Sequence, residues 1–199
     1  MTTRGRLISF RRFGVDADSM SDEAVLAATA TGDLAALDVV FDRFHVAVYQ
    51  FLGRLASADE LARDDLVQAT FLEARNGAKR FRGGSSVKTW ILGIAANVTR
   101  HHLRGERRRR EKHARYAETL QAVPEQPDQQ LERRELAREI EDTLAGLPHD
   151  LRVAFILCDL EEIPGVEVAR GIGVPPGTLW RRLHDARKAV RAAVEKATR

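Results

Sequence analysis

The sequence predicts an all-α protein of two small helical domains joined by a flexible linker, the second a helix-turn-helix. Three observations predict it. Apolar residues recur at helical steps of three and four almost throughout, and no stretch alternates as a half-buried strand would. One polar, acidic stretch, Glu118 to Glu135, contains Pro124 and Pro127, has little to bury and divides the chain. The 199 residues are 44% hydrophobic and 31% charged, enough to build a core in each half. No apolar run approaches the ~18 residues of a membrane span, so no membrane insertion is expected. Residues 1–14 lack the apolar centre of a secretory signal. The single cysteine, Cys158, excludes an internal disulfide and a cysteine-rich metal site, and fits a reducing cytoplasm.

The elements follow in order. A first helix begins near Asp22 and Glu23 and breaks at Thr31-Gly32-Asp33. Leu37, Phe41, Phe44, Val48, Phe51 and Leu55 then mark a long amphipathic helix. Ser57 with Glu60 forms a capping-box pattern and opens a third helix through Leu61, Leu66, Val67 and Phe71, ending near Asn76-Gly77. Arg82-Gly83-Gly84-Ser85 is a loop, and Ser86 caps a fourth helix whose apolar face carries Val87, Ile91, Ile94 and Val98. Beyond the linker, order returns with Leu136, Ile140 and Leu144. Pro148 suits the first turn of a helix carrying Leu151, Phe155 and Cys158. Pro164 opens a short helix, Gly171-Ile172-Gly173 turns the chain, and the last helix bears Leu179, Leu183, Ala186, Val190 and Val194 on one face.

The net charge of +3 conceals a strong division. Residues 20–78 carry −6, residues 79–115 carry +10 and residues 116–142 carry −5. The +10 segment is a candidate polyanion-binding surface; a solvated helix end explains Arg107–Arg110 equally well on charge alone. It also interleaves aromatics with cations: Lys79, Arg80, Phe81, Arg82, Lys88, Trp90, Arg100, His101, His102 and Arg104. Cations that track a backbone, and aromatic faces against unstacked bases, are what single-stranded nucleic acid requires. Trp90 fits a core position as well as a stacking one.

The two helices around Gly171–Gly173 form a helix-turn-helix candidate. On the second, Thr178, Arg181, Arg182, Asp185 and Lys188 lie opposite the apolar stripe, flanked by Trp180, His184 and Arg187. Such a helix fits the major groove, where arginine donates two bonds to guanine. A bundle with a solvated basic face is the competing reading, and Trp180 also has the option of packing on the preceding helix. On the third helix, Asp64, Asp65 and Gln68 share a polar face beside Leu66 and Phe71, a surface suited to a basic helical partner; on physics alone a half-buried core stripe with solvated acids is the favoured reading.

These residues carry a family resemblance. The sequence resembles bacterial RNA polymerase sigma factors of the sigma-70 family, extracytoplasmic-function (ECF) group. Asp65-Leu66-Val67-Gln68 with Thr70-Phe71 resembles the family's core-binding helix. Arg80-Phe81-Arg82, Ser85, Thr89-Trp90, Ile94-Ala95 and Asn97 resemble its promoter-melting and minus-ten segment. Leu147-Pro148 opens the second domain as in the family, and Gly173-Val174-Pro175, Gly177-Thr178, Arg182-Leu183-His184 and Ala186-Arg187 resemble its helix-turn-helix. The implied domains are region 2 (20–115), a linker (116–135) and region 4 (136–199); the basic N-terminal extension (1–19) has no counterpart in the family pattern. The implied partners are core RNA polymerase (the β′ coiled coil and the β flap), promoter DNA and an anti-sigma factor. The resemblance implies polymerase docking through Asp64, Asp65, Leu66, Gln68 and Phe71. It implies minus-ten binding through Lys79, Arg80, Phe81, Arg82, Ser85, Lys88, Trp90, Asn97, Arg100, His101 and Arg104, with an unstacked base held by the Arg82–Lys88 loop. It implies minus-thirty-five binding through Thr178, Trp180, Arg181, Arg182, His184 and Arg187.

The sequence departs from the family pattern at several points. Pro164-Gly165-Val166-Glu167-Val168-Ala169 stands where the family usually reads Ser-Tyr-Glu-Glu-Ile-Ala, and Gly165 and Gly171 should each weaken that helix by up to ~1 kcal/mol relative to alanine. Trp180-Arg181 replace a small or basic pair, and His101 replaces a frequent aspartate. No catalytic role and no cofactor are implied, and His101, His102 and His113 lack companion ligands for a metal. A stand-alone helix-turn-helix regulator lacks a use for the Asp64–Phe71 helix and the basic-aromatic block. A DNA-processing enzyme would need a nucleophile or a carboxylate cluster, for which Asp64-Asp65 is a poor candidate. A protein-interaction scaffold is favoured only if the basic faces bind nothing.

Overall fold

Side-chain caps set the first two helices. Ser21 accepts a bond from the Ala24 amide at 3.2 Å at the start of α1 (Asp22–Ala30). Asp33 accepts from the Ala35 amide at 2.9 Å at the start of α2 (Leu34–Leu55). Between them Gly32 takes the left-handed conformation, φ +95°, that the tight reversal needs. The computed structural model describes residues 19–56, 60–113, 140 and 142–197. The capping box at Ser57, the linker 116–135 and all but Ser19 of the basic extension lie outside the described residues.

α3 (Glu60–Gly77) follows, then a short 3₁₀ turn (Ala78–Arg80), an extended loop and α4 (Val87–His113). Ser86 caps α4 as the sequence predicts: its hydroxyl accepts from the Thr89 amide at 3.1 Å. Phe51, Leu52 and Leu55 of α2, with Ile91 and Leu92 of α4, are fully buried at the centre of these helices. α5 (His149–Phe155) starts after Pro148 and runs on through a π-helical turn (Ile156–Leu160). α6 (Gly165–Gly171) and α7 (Pro176–Ala197) complete the helix-turn-helix, the turn between them using Gly173 at φ +71°. Leu179, Leu183 and Ala186 of α7 are buried as expected; Val190 and Val194 are half-buried. Among the described residues there is no strand.

The structure adds one thing that the two-domain reading did not contain. Val153, Ile156, Leu157, Val168, Leu179 and Leu183 of the second domain join the same apolar cluster as Phe51, Leu55 and Ile91 of the first. α4 and α6 form the closest contact between the domains.

Candidate nucleic-acid and polymerase interface

α4 has three faces, and its sequence assigns each a different task. Ile91, Leu92, Ala95 and Thr99 turn into the first domain's core. Trp90, Ile94, Asn97, Val98 and His101 line a cleft of about 630 Å³, closed on its other side by Ala69, Glu73 and Gly77 of α3 and by Arg80. Thr89, Gly93, Ala96 and Arg100, spaced by four, three and four, face the second domain.

The cleft brings together four residues of the basic-aromatic segment: Arg80, Trp90, Asn97 and His101. Trp90 serves both of its readings. It is half-buried, packs edge-on against Phe81 with centroids 5.4 Å apart, and walls the cleft over Gly77, where a Cβ would meet the indole at 3.3 Å. An aromatic wall with a guanidinium, an amide and an imidazole beside it has the chemistry to stack a planar group and bond its edge. Glu73 was missed: it sits on the same helix as the predicted docking acids, one face round, and lines the cleft on the same side as Arg80, across from α4. Lys79 and Arg82 are exposed, Arg82 donating to the Lys79 carbonyl at 3.2 Å, and Ser85 is half-buried in the loop. Arg104 is exposed. Lys88 and Arg100 point away from the cleft: Lys88 is paired with Glu161 at 3.4 Å, and Arg100 with Asp150 at 2.5 Å.

On α3 the burial pattern divides the residues named for docking. Asp64, Asp65 and Gln68 are exposed as expected, but Leu66 and Phe71 are 3% and 4% exposed and belong to the core. The apolar groups that do reach solvent are Leu61, 79% exposed, and Leu72, 55% exposed. Leu61, Asp65, Gln68 and Leu72 recur at steps of four, three and four, with Asp64 beside them, so one helix face mixes acid, amide and leucine. The spacing carried this signal; assigning Leu61 to the buried run concealed it.

On α7, Arg181 and His184 are exposed, Thr178 is half-buried and Trp180 is 49% exposed. The Trp180 ring lies over Gly165, where a Cβ would approach it to 2.4 Å. The unusual glycine in α6 and the unusual tryptophan in α7 are thus one packing solution. Arg182 and Arg187 are engaged by acids of the preceding helix segment: Arg182 meets Asp150 at 2.7 Å, and Arg187 grips Asp159 through two bonds of 2.9 and 2.6 Å. Cys158 is half-buried, its thiol pushed up to about 11 by burial and then by Asp159, so at neutral pH it is a protonated packing group.

Residues 40–109 match the family described as Sigma-70 region 2, and residues 137–190 match Sigma-70, region 4. The chain is 27% identical to the ECF RNA polymerase sigma-E factor of Haemophilus influenzae over 187 residues, covering 90% of this chain and 98% of that protein. It is also 27% identical to the RNA polymerase sigma-H factor of Pseudomonas aeruginosa over 186 residues, covering 89% and 96%. Among solved structures it resembles CnrH in complex with the cytosolic domain of CnrY, with TM-score 0.60, 23% identity and coverage of 88% of this chain and 97% of that one. It also resembles the sigma factor RpoE in complex with the anti-sigma factor NepR from Bartonella quintana, with TM-score 0.57, 24% identity and coverage of 75% and 90%. The chain belongs to the sigma-70 family of RNA polymerase sigma factors, in its ECF group. No helix among the described residues is long and apolar enough to cross a membrane.

Proposed function

We propose that this chain docks on core RNA polymerase, reads the minus-ten and minus-thirty-five promoter elements and opens the DNA between them and the start site. The convergence of Arg80, Trp90, Asn97 and His101 on one cleft carries this reading. Docking uses Asp64, Asp65 and Gln68 with Leu61 and Leu72 on the β′ coiled coil. Minus-ten DNA follows Lys79, Arg80, Arg82 and Arg104, and an extruded non-template base enters the cleft beside Trp90. Capturing that base offsets an unstacking cost of a few kcal/mol, so opening becomes easier. α7 lies in the major groove of the minus-thirty-five element with Arg181, His184 and Trp180 towards base edges. The second domain also meets the β flap. No step requires a catalytic group or cofactor, and the setting is cytoplasmic, where polymerase and promoter are found. An anti-sigma partner, as in the RpoE complex with NepR, fits the same reading.

The stand-alone regulator is not favoured, because both sigma regions are present in order. Charge reversal at Arg80 and Arg82 separates the steps: it should abolish promoter opening in a reconstituted holoenzyme while leaving core binding near wild type. Equal loss of both would remove the minus-ten role.

A further inference from the structure

At the start of α6, the six-membered ring of Trp180 covers Gly165 so closely that a Cβ there would stand 2.4 Å from Cη2 and 2.9 Å from Cζ2. Gly165 does not have a positive φ, so its backbone makes no demand for glycine. Its smallness serves the tryptophan. A tryptophan side chain turns about only two torsions, and this one rests against a helix start, so its ring is set before any ligand arrives.

The packing leaves much of the ring free. Trp180 is 49% exposed, and among the described residues its indole N–H has no hydrogen-bond partner. It stands in the N-terminal part of α7, the part that meets base edges when such a helix enters the major groove. Its basic neighbours divide unevenly. Arg182 and Arg187 are held by Asp150 and Asp159, whereas Arg181, the next residue, and His184, one turn on, are exposed. Trp180 shares the free edge of α7 with these last two.

What such a group reads follows from its chemistry. Indole offers one donor, no acceptor and a broad apolar ring. In the major groove thymine presents an acceptor, O4, next to an apolar 5-methyl group. Guanine presents two acceptors and no methyl, adenine a donor beside its acceptor, and cytosine a donor. Only thymine matches both halves of the indole.

We propose that Trp180 reads a thymine in the minus-thirty-five element, close to the base met by Arg181: its ring covers the 5-methyl group and its N–H donates to O4. Gly165 is the positioning residue that lets the ring lie there. This role rests on the sigma-factor reading, which puts α7 in the groove.

The test uses holoenzyme reconstituted from the full chain and core polymerase, on a promoter recovered by runoff transcription from a genomic library. Each thymine of the minus-thirty-five element is replaced in turn by deoxyuridine, which removes the 5-methyl group and keeps O4 and the base pairing. With the wild-type chain, one position should bind about fourfold more weakly as deoxyuridine, the worth of one buried methyl group. Trp180→Ala should erase that difference, and Trp180→Phe, which keeps an apolar ring, should retain it. Gly165→Ala should erase it with no loss of melting temperature, because the displaced ring no longer reaches the methyl group. Equal affinity for thymine and deoxyuridine at every position overturns the reader, and so does a penalty that survives Trp180→Ala or an element without thymine. A penalty unchanged in folded Gly165→Ala overturns the positioning role. A chain that directs no initiation from the library defeats the sigma-factor reading itself, and the thymine contact falls with it.

Discussion

At the scale of single residues, the informative positions are those whose partner was not visible along the chain. Gly165 and Gly171 look like defects in a short helix until Trp180 and Thr89 are found against them. The anomaly was legible; the contact explaining Gly171 joins residues more than eighty positions apart and was not. Arg181, by contrast, was placed by spacing alone and is exposed on the predicted face. Arg181→Ala should relax minus-thirty-five preference at one position by about 1–3 kcal/mol, measured as affinity of the holoenzyme across a single-base promoter series. His149 gives a pH dependence. Its ring is held below the ordinary histidine value of 6.5 by burial first and by Arg100 and Arg152, opposed by the Ala96 bond and Asp150. The chain with its domains packed together therefore binds fewer protons than it would with them apart. Its stability is fully present above pH 6.5 and falls as pH drops below that value. In the chain with Cys158→Ala, the distance between spin labels at Asp38→Cys and Arg191→Cys should lengthen between pH 7.5 and pH 5.5, and His149→Gln should flatten that response. Glu167, held below its ordinary value chiefly by the Thr89 hydroxyl, acts in the same direction at lower pH.

At the scale of elements, helix existence and order followed from period-3.6 patterning, and the caps at Ser21, Asp33 and Ser86 fell where side-chain chemistry places them. Facing was less legible. A helix with apolar residues on two sides, as in α3, gives two candidate core stripes, and only packing against α2 and α4 decides that Leu66, Val67 and Phe71 go in while Leu61 and Leu72 stay out. The exposed pair has a testable role. Leu72→Asp should weaken core-polymerase binding at least tenfold with no change in melting temperature, whereas Phe51→Ala in the fully buried centre of α2 should cost about 3–5 kcal/mol of stability. Native-gel titration with core enzyme and thermal unfolding separate the two. A fall in stability for Leu72→Asp would move that side chain from the docking face to the fold.

At the scale of the whole molecule, the division of charge acquires a physical reading. The +10 segment is partly neutralised within the chain, Arg100 by Asp150 and Lys88 by Glu161. The side chains in these pairs keep some solvent contact, so salt screens them. Raising ionic strength should open the free chain while weakening its DNA binding, two effects of opposite sense that scattering and fluorescence anisotropy resolve. The central claim, however, is the role in initiation. It is tested most directly by runoff transcription from a genomic library with purified chain and core polymerase. The account predicts discrete new start sites, preceded by two shared elements and lost on charge reversal at Arg80 and Arg82. Transcripts no different from those of core polymerase alone, with the chain demonstrably bound to it, would contradict the account.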